Sequence, residues 1–283
     1  MINEGVKKMI EEAEIQDIEI ESFLRSIYSK YGYDFKDYSR AFLKRRLNRC
    51  CSLFKVQNVS NLQAIALRDN EIFHNIVSEF SINVTEMFRF PSFFKRIREE
   101  IIPILKTYPR VKIWHPGCAS GEEVYSLAIL LKEEGILNKT IIYATDIDKE
   151  ILKSAKYGIY HIEKIKEYTR NYQLSGGKNS FTDYYKARKS SVIINEDLKE
   201  RIFFEEHNLV TDKTFGEMNM IMCRNVLIYF NKNLQNKVIE LFLNSLARNG
   251  ILGLGSKESL INSKYEGAFE RMFPDQKIYR RIK

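Results

Sequence analysis

The chain has no paired cysteines of the CxxC kind, no histidines at ligand spacing, and no apolar run approaching the ~20 residues that a membrane-spanning helix needs. Its four cysteines are Cys50, Cys51, Cys118 and Cys223, the first two adjacent, which argues against both a zinc site and a disulfide framework and fits a reducing compartment. His74, His115, His161 and His207 are scattered, so no metal is expected. A secretory signal core is also missing, because the N-terminal stretch is acidic and helical (Glu4, Glu11, Glu12, Glu14). With no signal core and no membrane-length apolar run, the expectation is a soluble cytoplasmic protein. Its 44% hydrophobic and 29% charged residues are ordinary for a globular chain.

At 283 residues the chain is longer than one small domain, so a cofactor domain with a smaller accessory unit is expected. An excess of 45 Lys+Arg over 37 Asp+Glu gives a net charge of +8, which favours an acidic partner: nucleic acid, an anionic membrane surface or an acidic protein. Charge alone does not choose among them.

Periodicity divides the chain. Residues 1–82 read as a small helical domain, with helices over Ile20 to Tyr31, Tyr38 to Phe54, Leu62 to Asn70 and Ile72 to Phe80. Residues 83–110 read as a linker and a connecting helix from Pro91 to Leu105, proline suiting a first helical position. From residue 111 to 283, apolar strands (Val111 to His115, Ile141 to Thr145, Met218 to Met222, Ile251 to Gly255) alternate with helices (Glu122 to Gly135, Lys149 to Lys156, Lys232 to Ala247). That alternation predicts an α/β domain with a mostly parallel sheet and helices on both faces. Residues 157–201 break the pattern with aromatic, basic and glycine-containing pieces. The stretch is too long for a connection and reads as an inserted subdomain, with short strands over Tyr184 to Asn195.

The most informative segment runs from Ile113 to Ala128, an apolar strand, a turn bearing Gly117 and Gly121, and an amphipathic helix opened by Glu122 and Glu123. Such a turn lets backbone approach a nucleotide-like ligand closely, and Asp146, at the end of the next apolar segment, is placed to accept hydrogen bonds from ribose hydroxyls. Gly117-x-x-x-Gly121 is neither the GxGxxG of dinucleotide enzymes nor a P-loop. S-adenosylmethionine carries no phosphate, so its loop needs close backbone approach and a carboxylate more than a helix N-terminus aimed at pyrophosphate.

Six ordered blocks sharpen this reading: Asn83 to Arg89, Trp114 to Ala128, Ala144 to Asp148, Asn208-Leu209, Cys223 to Phe230 and Gly253 to Leu260. Together they resemble the signature blocks of the chemotaxis receptor methyltransferases, the CheR family. The resemblance implies a Rossmann-like S-adenosylmethionine-dependent methyltransferase domain with an N-terminal helical domain and an inserted small β-subdomain. It further implies transfer of methyl groups to glutamate side chains of chemoreceptor cytoplasmic helices, leaving S-adenosyl-L-homocysteine. Membrane proximity would come only through the receptor, and the protein would be a monomer.

Carried over by position, the resemblance implies a cofactor site of Asn83, Thr85, Arg89, Gly117, Glu123, Asp146, Asn208, Leu209, Arg224 and Asn225. Asp146 would take the ribose, Asn208 and Leu209 would lie by the adenine, and Glu123 would meet the methionyl ammonium side. Arg89 and Tyr229 are the implied catalytic pair that steers the incoming carboxylate. Outside that resemblance Asn225 reads equally as a turn cap, Arg224 as an ion-pair partner and Tyr229 as core.

Around a helix over 38–54, Leu43, Leu47, Cys50 and Cys51 share one face and Arg45, Arg46 and Arg49 cluster on the other. This basic stripe reads either as a solvated face or as the docking surface for an acidic receptor helix. Two rivals stand beside the methyl-ester reading: a methyltransferase with an RNA or small-molecule acceptor, and a cofactor-binding adaptor that does not turn over. The absence of an Asn/Asp-Pro-Pro-aromatic motif and of a cysteine pair argues against the first. Arg89 and Tyr229 beside the cofactor residues argue against the second. No nucleic-acid module is recognisable, so no nucleic-acid partner is expected. Trp114, the only tryptophan, reads as core, and His115 has no assigned role.

Overall fold

The computed structural model describes residues 4–81, 85–214 and 216–283, which form two compact units. One unit takes the chain as far as residue 82 and includes Tyr229–Leu234; the other comprises Asn83–Ile228 and Gln235–Lys283.

The helical unit contains α1 (Glu4–Tyr31), α2 (Arg40–Leu53), α3 (Val59–Ala66) and α4 (Asn70–Phe80). α1 begins well before the expected Ile20. Ile20, Phe23, Leu24 and Ile27 are buried at helical spacing, whereas the preceding Ile15 and Ile18 are exposed and the turn around them carries good helix formers such as Glu, Ala and Gln. α3 stops at Ala66, short of the expected Asn70, because Asp69 caps the next helix: its carboxylate accepts the N–H groups of Glu71 (2.8 Å) and Ile72 (3.2 Å). Aromatic contacts fill the interior, with Tyr31 stacked on Phe73 at 3.7 Å and Phe35 edge-on to Phe80 at 5.0 Å. The returning segment is held by a bridge between Tyr38 and Phe230 and by the Ser39 N–H donating to the Tyr229 carbonyl (2.8 Å).

In the α/β unit the connecting helix comprises α5 (Pro91–Arg96), a π turn (Ile97–Ile101) and α6 (Ile102–Lys106). Pro103 has no N–H to donate, and its ring crowds the preceding turn. The ladder widens there, the Ile102 N–H reaching the Ile97 carbonyl. The chain continues through β1 (Val111–Pro116), α7 (Glu122–Glu133), β2 (Thr140–Asp146) and α8 (Lys149–Tyr157). The inserted piece follows as β3 (Ile159–His161), α9 (Ile165–Leu174), β4 (Tyr185–Ala187), β5 (Ser191–Ile194) and α10 (Glu196–Lys199). The chain then returns through β6 (Ile202–Glu206), β7 (Met218–Cys223), α11 (Lys232–Ser245), β8 (Leu246–Leu254), β9 (Phe269–Arg271) and β10 (Ile278–Arg281).

The main sheet has seven strands in the order β6-β2-β1-β7-β8-β10-β9, parallel through β8 and antiparallel beyond it; β3, β5 and β4 form a separate three-stranded sheet. Strand order reverses at β1, whose neighbours are β2 and β7, so ligand chemistry is expected beyond the carboxyl ends of these strands. β1, β2 and β7 are buried on both faces and read as near-continuous apolar runs. α7 is buried from Glu122 to Leu131, and one core cluster joins it to Phe93, Phe94, Ile97 and Ile101 and to the insert's Tyr168, Tyr172 and Phe181. Trp114 is fully buried, its ring edge-on to Phe242 and its Nε1–H donating to Thr145 Oγ1 (2.9 Å). Among the described residues no helix is long and apolar enough to cross a membrane.

Candidate active site

At the carboxyl end of β1 the chain turns through Gly117 and Gly121, with φ of +68° and +88°, and Ala119 also lies at positive φ. The turn is pinned to β2 twice: the Cys118 N–H donates to the Thr145 carbonyl (3.0 Å) and the Ala119 N–H to the Asp146 carboxylate (3.0 Å). Asp146 also accepts the Asp148 N–H (3.1 Å), and Asp148 caps α8. Burial raises the Asp146 carboxyl above the usual range, against the lowering effect of those N–H groups. The result is a fixed, nearly buried carboxylate beside the glycine turn.

Glu123, in the first turn of α7, is 5% exposed and pairs through Oε2 with Arg224 Nη1 at 2.5 Å. Its Oε1 accepts from His115 Nε2 at 3.2 Å; an ion-paired carboxylate only accepts, so Nε2 carries the proton. Burial works to raise the Glu123 carboxyl, but Arg224 together with His115 outweighs it, and the net direction is downward. Arg224 donates from Nη2 to the Arg89 carbonyl (3.2 Å) and lies over the Phe93 ring at 4.1 Å, while burial pushes its own pKa down. One buried ion pair thus ties the start of α7, the end of β7 and the segment carrying Arg89.

That segment is held independently. The Phe88 N–H donates to Ser126 Oγ (2.8 Å), and Asn171 Nδ2 donates to the Met87 carbonyl (3.2 Å). Thr85 and Arg89 are half-buried on it, whereas Asn83 lies outside the described residues. After β6 the chain packs against the same corner, the His207 N–H donating to the Asp146 carbonyl (3.1 Å). Asn208 and Leu209 follow. The Asn208 side-chain oxygen accepts the Val210 N–H (2.9 Å), so it shapes its own loop. Asn225 sits in the left-handed region at φ +62°.

The structure therefore gathers Gly117, Glu123, Asp146, Arg224 and Asn225 at the ends of β1, β2 and β7, with Arg89 tied in through its carbonyl. Tyr229 belongs to the helical unit, its ring tilted against Phe42 at 5.0 Å. On α2, Leu43, Leu47, Cys50 and Cys51 are buried, and burial pushes the Cys50 thiol up to about 12. On its opposite face Arg45 is exposed, Arg46 is half-buried over the Phe42 ring, and Arg49 pairs with Glu79 at 2.6 Å. All four cysteines are free and buried, and no group of three His, Cys, Asp or Glu among the described residues is arranged to hold a metal.

Residues 83–277 match the model of the CheR methyltransferase SAM-binding domain, and residues 18–81 match that of the CheR all-alpha domain. The chain belongs to the CheR methyltransferase family. It is an S-adenosylmethionine-dependent methyltransferase with the Rossmann-like fold and N-terminal helical domain of that family. A Pseudomonas putida protein named as methyltransferase Cher3 is 46% identical over 94% of this chain and 97% of its own length. A chemotaxis protein methyltransferase of Vibrio anguillarum is 30% identical over 89% of this chain and 94% of its own. One from Listeria innocua is 28% identical over 85% and 89%.

Sequence reasoning passed over one residue of this CheR-family site. Glu258 is buried, and all four of its hydrogen-bond partners are backbone N–H groups, three of them in the turn that carries Asn225. Its sequence sign is a carboxylate three places after Gly255, within the block Gly253 to Leu260.

Proposed function

We propose that this enzyme esterifies glutamate side chains on the cytoplasmic helices of chemoreceptors, working in the cytoplasm and reaching the membrane only through its substrate. The Listeria innocua and Vibrio anguillarum relatives are among those that carry the name chemotaxis protein methyltransferase. The observation that carries the reading is the fixed Asp146 carboxylate beside the left-handed Gly117 turn, at the strand-order reversal of a chain of this family.

The residues fit the cofactor. Asp146 is a nearly buried hydrogen-bond acceptor of the kind a ribose diol needs, and Glu123 supplies negative charge for the ammonium side. Thr85, Arg89, Asn208, Leu209, Arg224 and Asn225 complete the assigned set, with Asn83 at the start of the same segment. Bound there, S-adenosylmethionine would supply an electrophilic sulfonium methyl to a receptor carboxylate oxygen, and the carbon–sulfur bonding pair would remain on sulfur as the thioether S-adenosyl-L-homocysteine. A glutamate side chain with a pKa of about 4.3 is already the nucleophile at neutral pH, so no general base is required. Attack consumes one positive and one negative charge, which water opposes by solvating both, so the protein's task is alignment and exclusion of water. Arg89 and Tyr229 are the positions assigned to steer the incoming carboxylate, positioning it without a tight pair that would blunt the nucleophile. Arg45, Arg46 and Arg49 are assigned to docking of the acidic receptor helix.

The test is methyl transfer from labelled S-adenosylmethionine to receptor cytoplasmic fragments, followed by mild alkali. Volatile methanol marks the expected ester. Alkali-stable label would place the methyl on nitrogen or carbon and overturn the glutamate assignment.

A further inference from the structure

We infer that Glu258 is a positioning residue for methyl transfer: its carboxylate clasps the turn at 225–227 and thereby sets where the glycine turn at 117–121 runs. The inference rests on the cofactor-site reading above. Glu258 is 4% exposed and stands in a tight turn at the end of β8, its own N–H donating to the Gly255 carbonyl (2.9 Å). Its Oε2 accepts the N–H groups of Gly255 (2.5 Å) and Asn225 (3.0 Å), and its Oε1 accepts those of Val226 and Leu227 (2.8 Å each). One side chain from the end of β8 thus satisfies three successive N–H groups beyond the end of β7.

Those groups need an acceptor because the backbone there is unusual. Asn225 at φ +62° directs the following N–H groups to one side, where the strand ladder has ended. A buried carboxylate is a costly way to satisfy them, and burial raises the Glu258 pKa in spite of all four hydrogen bonds. The approach is so close that a Cβ on Gly255 would lie 2.7 Å from Glu258 Oε2 and 2.8 Å from the Asn225 nitrogen.

What the clasp touches is visible at Gly117. A Cβ there would lie 2.4 Å from Val226 Cγ2, so Val226 packs directly against the glycine backbone and a displacement of one turn bears on the other. Glu258 holds the Val226 N–H on one side of this contact. On the other, Gly117 leads into the turn whose Ala119 N–H bonds Asp146. Arg224, the residue before the clasped turn, carries the ion pair to Glu123. Positions on both sides of the assigned cofactor site are therefore referred to one carboxylate that is not itself assigned to touch the ligand.

The experiment uses the full chain carrying Glu258→Gln, with Glu258→Asp as a second variant should the first not fold. S-adenosyl-L-homocysteine is titrated by calorimetry well below each variant's unfolding midpoint, and Asp146→Ala serves as the control. Glutamine puts an NH2 group against two of the four N–H donors, and affinity is expected to fall about tenfold or more with the secondary-structure spectrum unchanged. The effect should shrink in a Val226→Ala background, because the two changes act through one contact. Lowered thermal stability with unchanged affinity would make Glu258 a purely structural residue and overturn the inference. Unchanged affinity in Asp146→Ala beside weakened binding in Glu258→Gln would instead remove the ribose assignment and leave the Glu258 inference standing.

Discussion

Arg224 pairs with a carboxylate that has almost no access to water, so its removal should cost more than the pair's net worth. Breaking a buried pair from one side typically costs about 3–5 kcal/mol, because the remaining charge is stranded. Arg224→Met keeps the packing over Phe93 and removes the charge, and a loss of that size is expected in urea unfolding. The pH dependence should also change. In the native protein Glu123 is held below its ordinary value, so it contributes stability above pH ~4.3 that is lost as pH falls through the lower folded value. Without Arg224, burial is opposed only by His115 and the more distant Arg89, and the carboxyl is expected to rise above its ordinary value. The variant should therefore become more stable as pH is lowered from 7 towards roughly 5, a range over which the parent's Glu123 contribution stays constant. Parallel pH profiles would show that Arg224 is not what holds Glu123 ionised. The Glu123→Gln, Arg224→Met double variant should recover most of the loss.

At the scale of elements, legibility in the sequence followed burial. β1, β2 and β7 were readable because both faces are covered and the strands are almost uninterruptedly apolar. β6, β9 and β10 were not. β6 and β9 lie at the sheet edges with mixed exposure, β10 is only four residues long, and Phe203 on β6 is 47% exposed, so no period-2 signal separates them from loop. α9 hid inside the insert for a related reason: its buried Tyr168 and Tyr172 resemble strand residues by propensity, and the tertiary contacts, Tyr172 with Phe88 and Phe181 and Tyr168 with Tyr160, show them as one helical face. In the site, Asp146 and the glycine turn were legible from local pattern. The Glu123–Arg224 pair spans 101 residues and Glu258 acts through backbone N–H groups, and no local spacing encodes either. α2 shows the limit of a helical wheel. Its buried face is as drawn, but the three cations opposite differ: Arg45 is exposed, Arg46 is partly covered, and Arg49 is engaged by Glu79. Reversing all three to glutamate should raise KM for a receptor fragment at least about tenfold and leave S-adenosyl-L-homocysteine affinity unchanged, since docking charges act on encounter and not on the cofactor. Equal turnover would return this face to ordinary solvated surface.

At the scale of the whole molecule, the net charge of +8 is a long-range quantity, and its consequence differs from that of any single pair. A positively charged enzyme and an acidic helical receptor attract one another over distances set by the Debye length, about 30 Å at 0.01 M salt and about 8 Å at 0.15 M. The charged residues assigned to the cofactor site, Glu123, Asp146 and Arg224, are buried and largely shielded from mobile ions. Ionic strength should therefore separate the two halves of the reaction. Between about 20 and 500 mM salt, KM for an acidic receptor fragment is expected to rise several-fold or more, while kcat and S-adenosyl-L-homocysteine affinity change little. The slope of that rise should be shallower in the α2 charge-reversal variant, because part of the field that salt screens has been removed. A receptor KM indifferent to salt would mean that recognition rests on apolar contact and that the basic excess serves something other than substrate capture. A fall in cofactor affinity as steep as the rise in receptor KM would place the field's action at the cofactor site itself, where Asp146 and Glu123 are the charges that would have to be exposed to it.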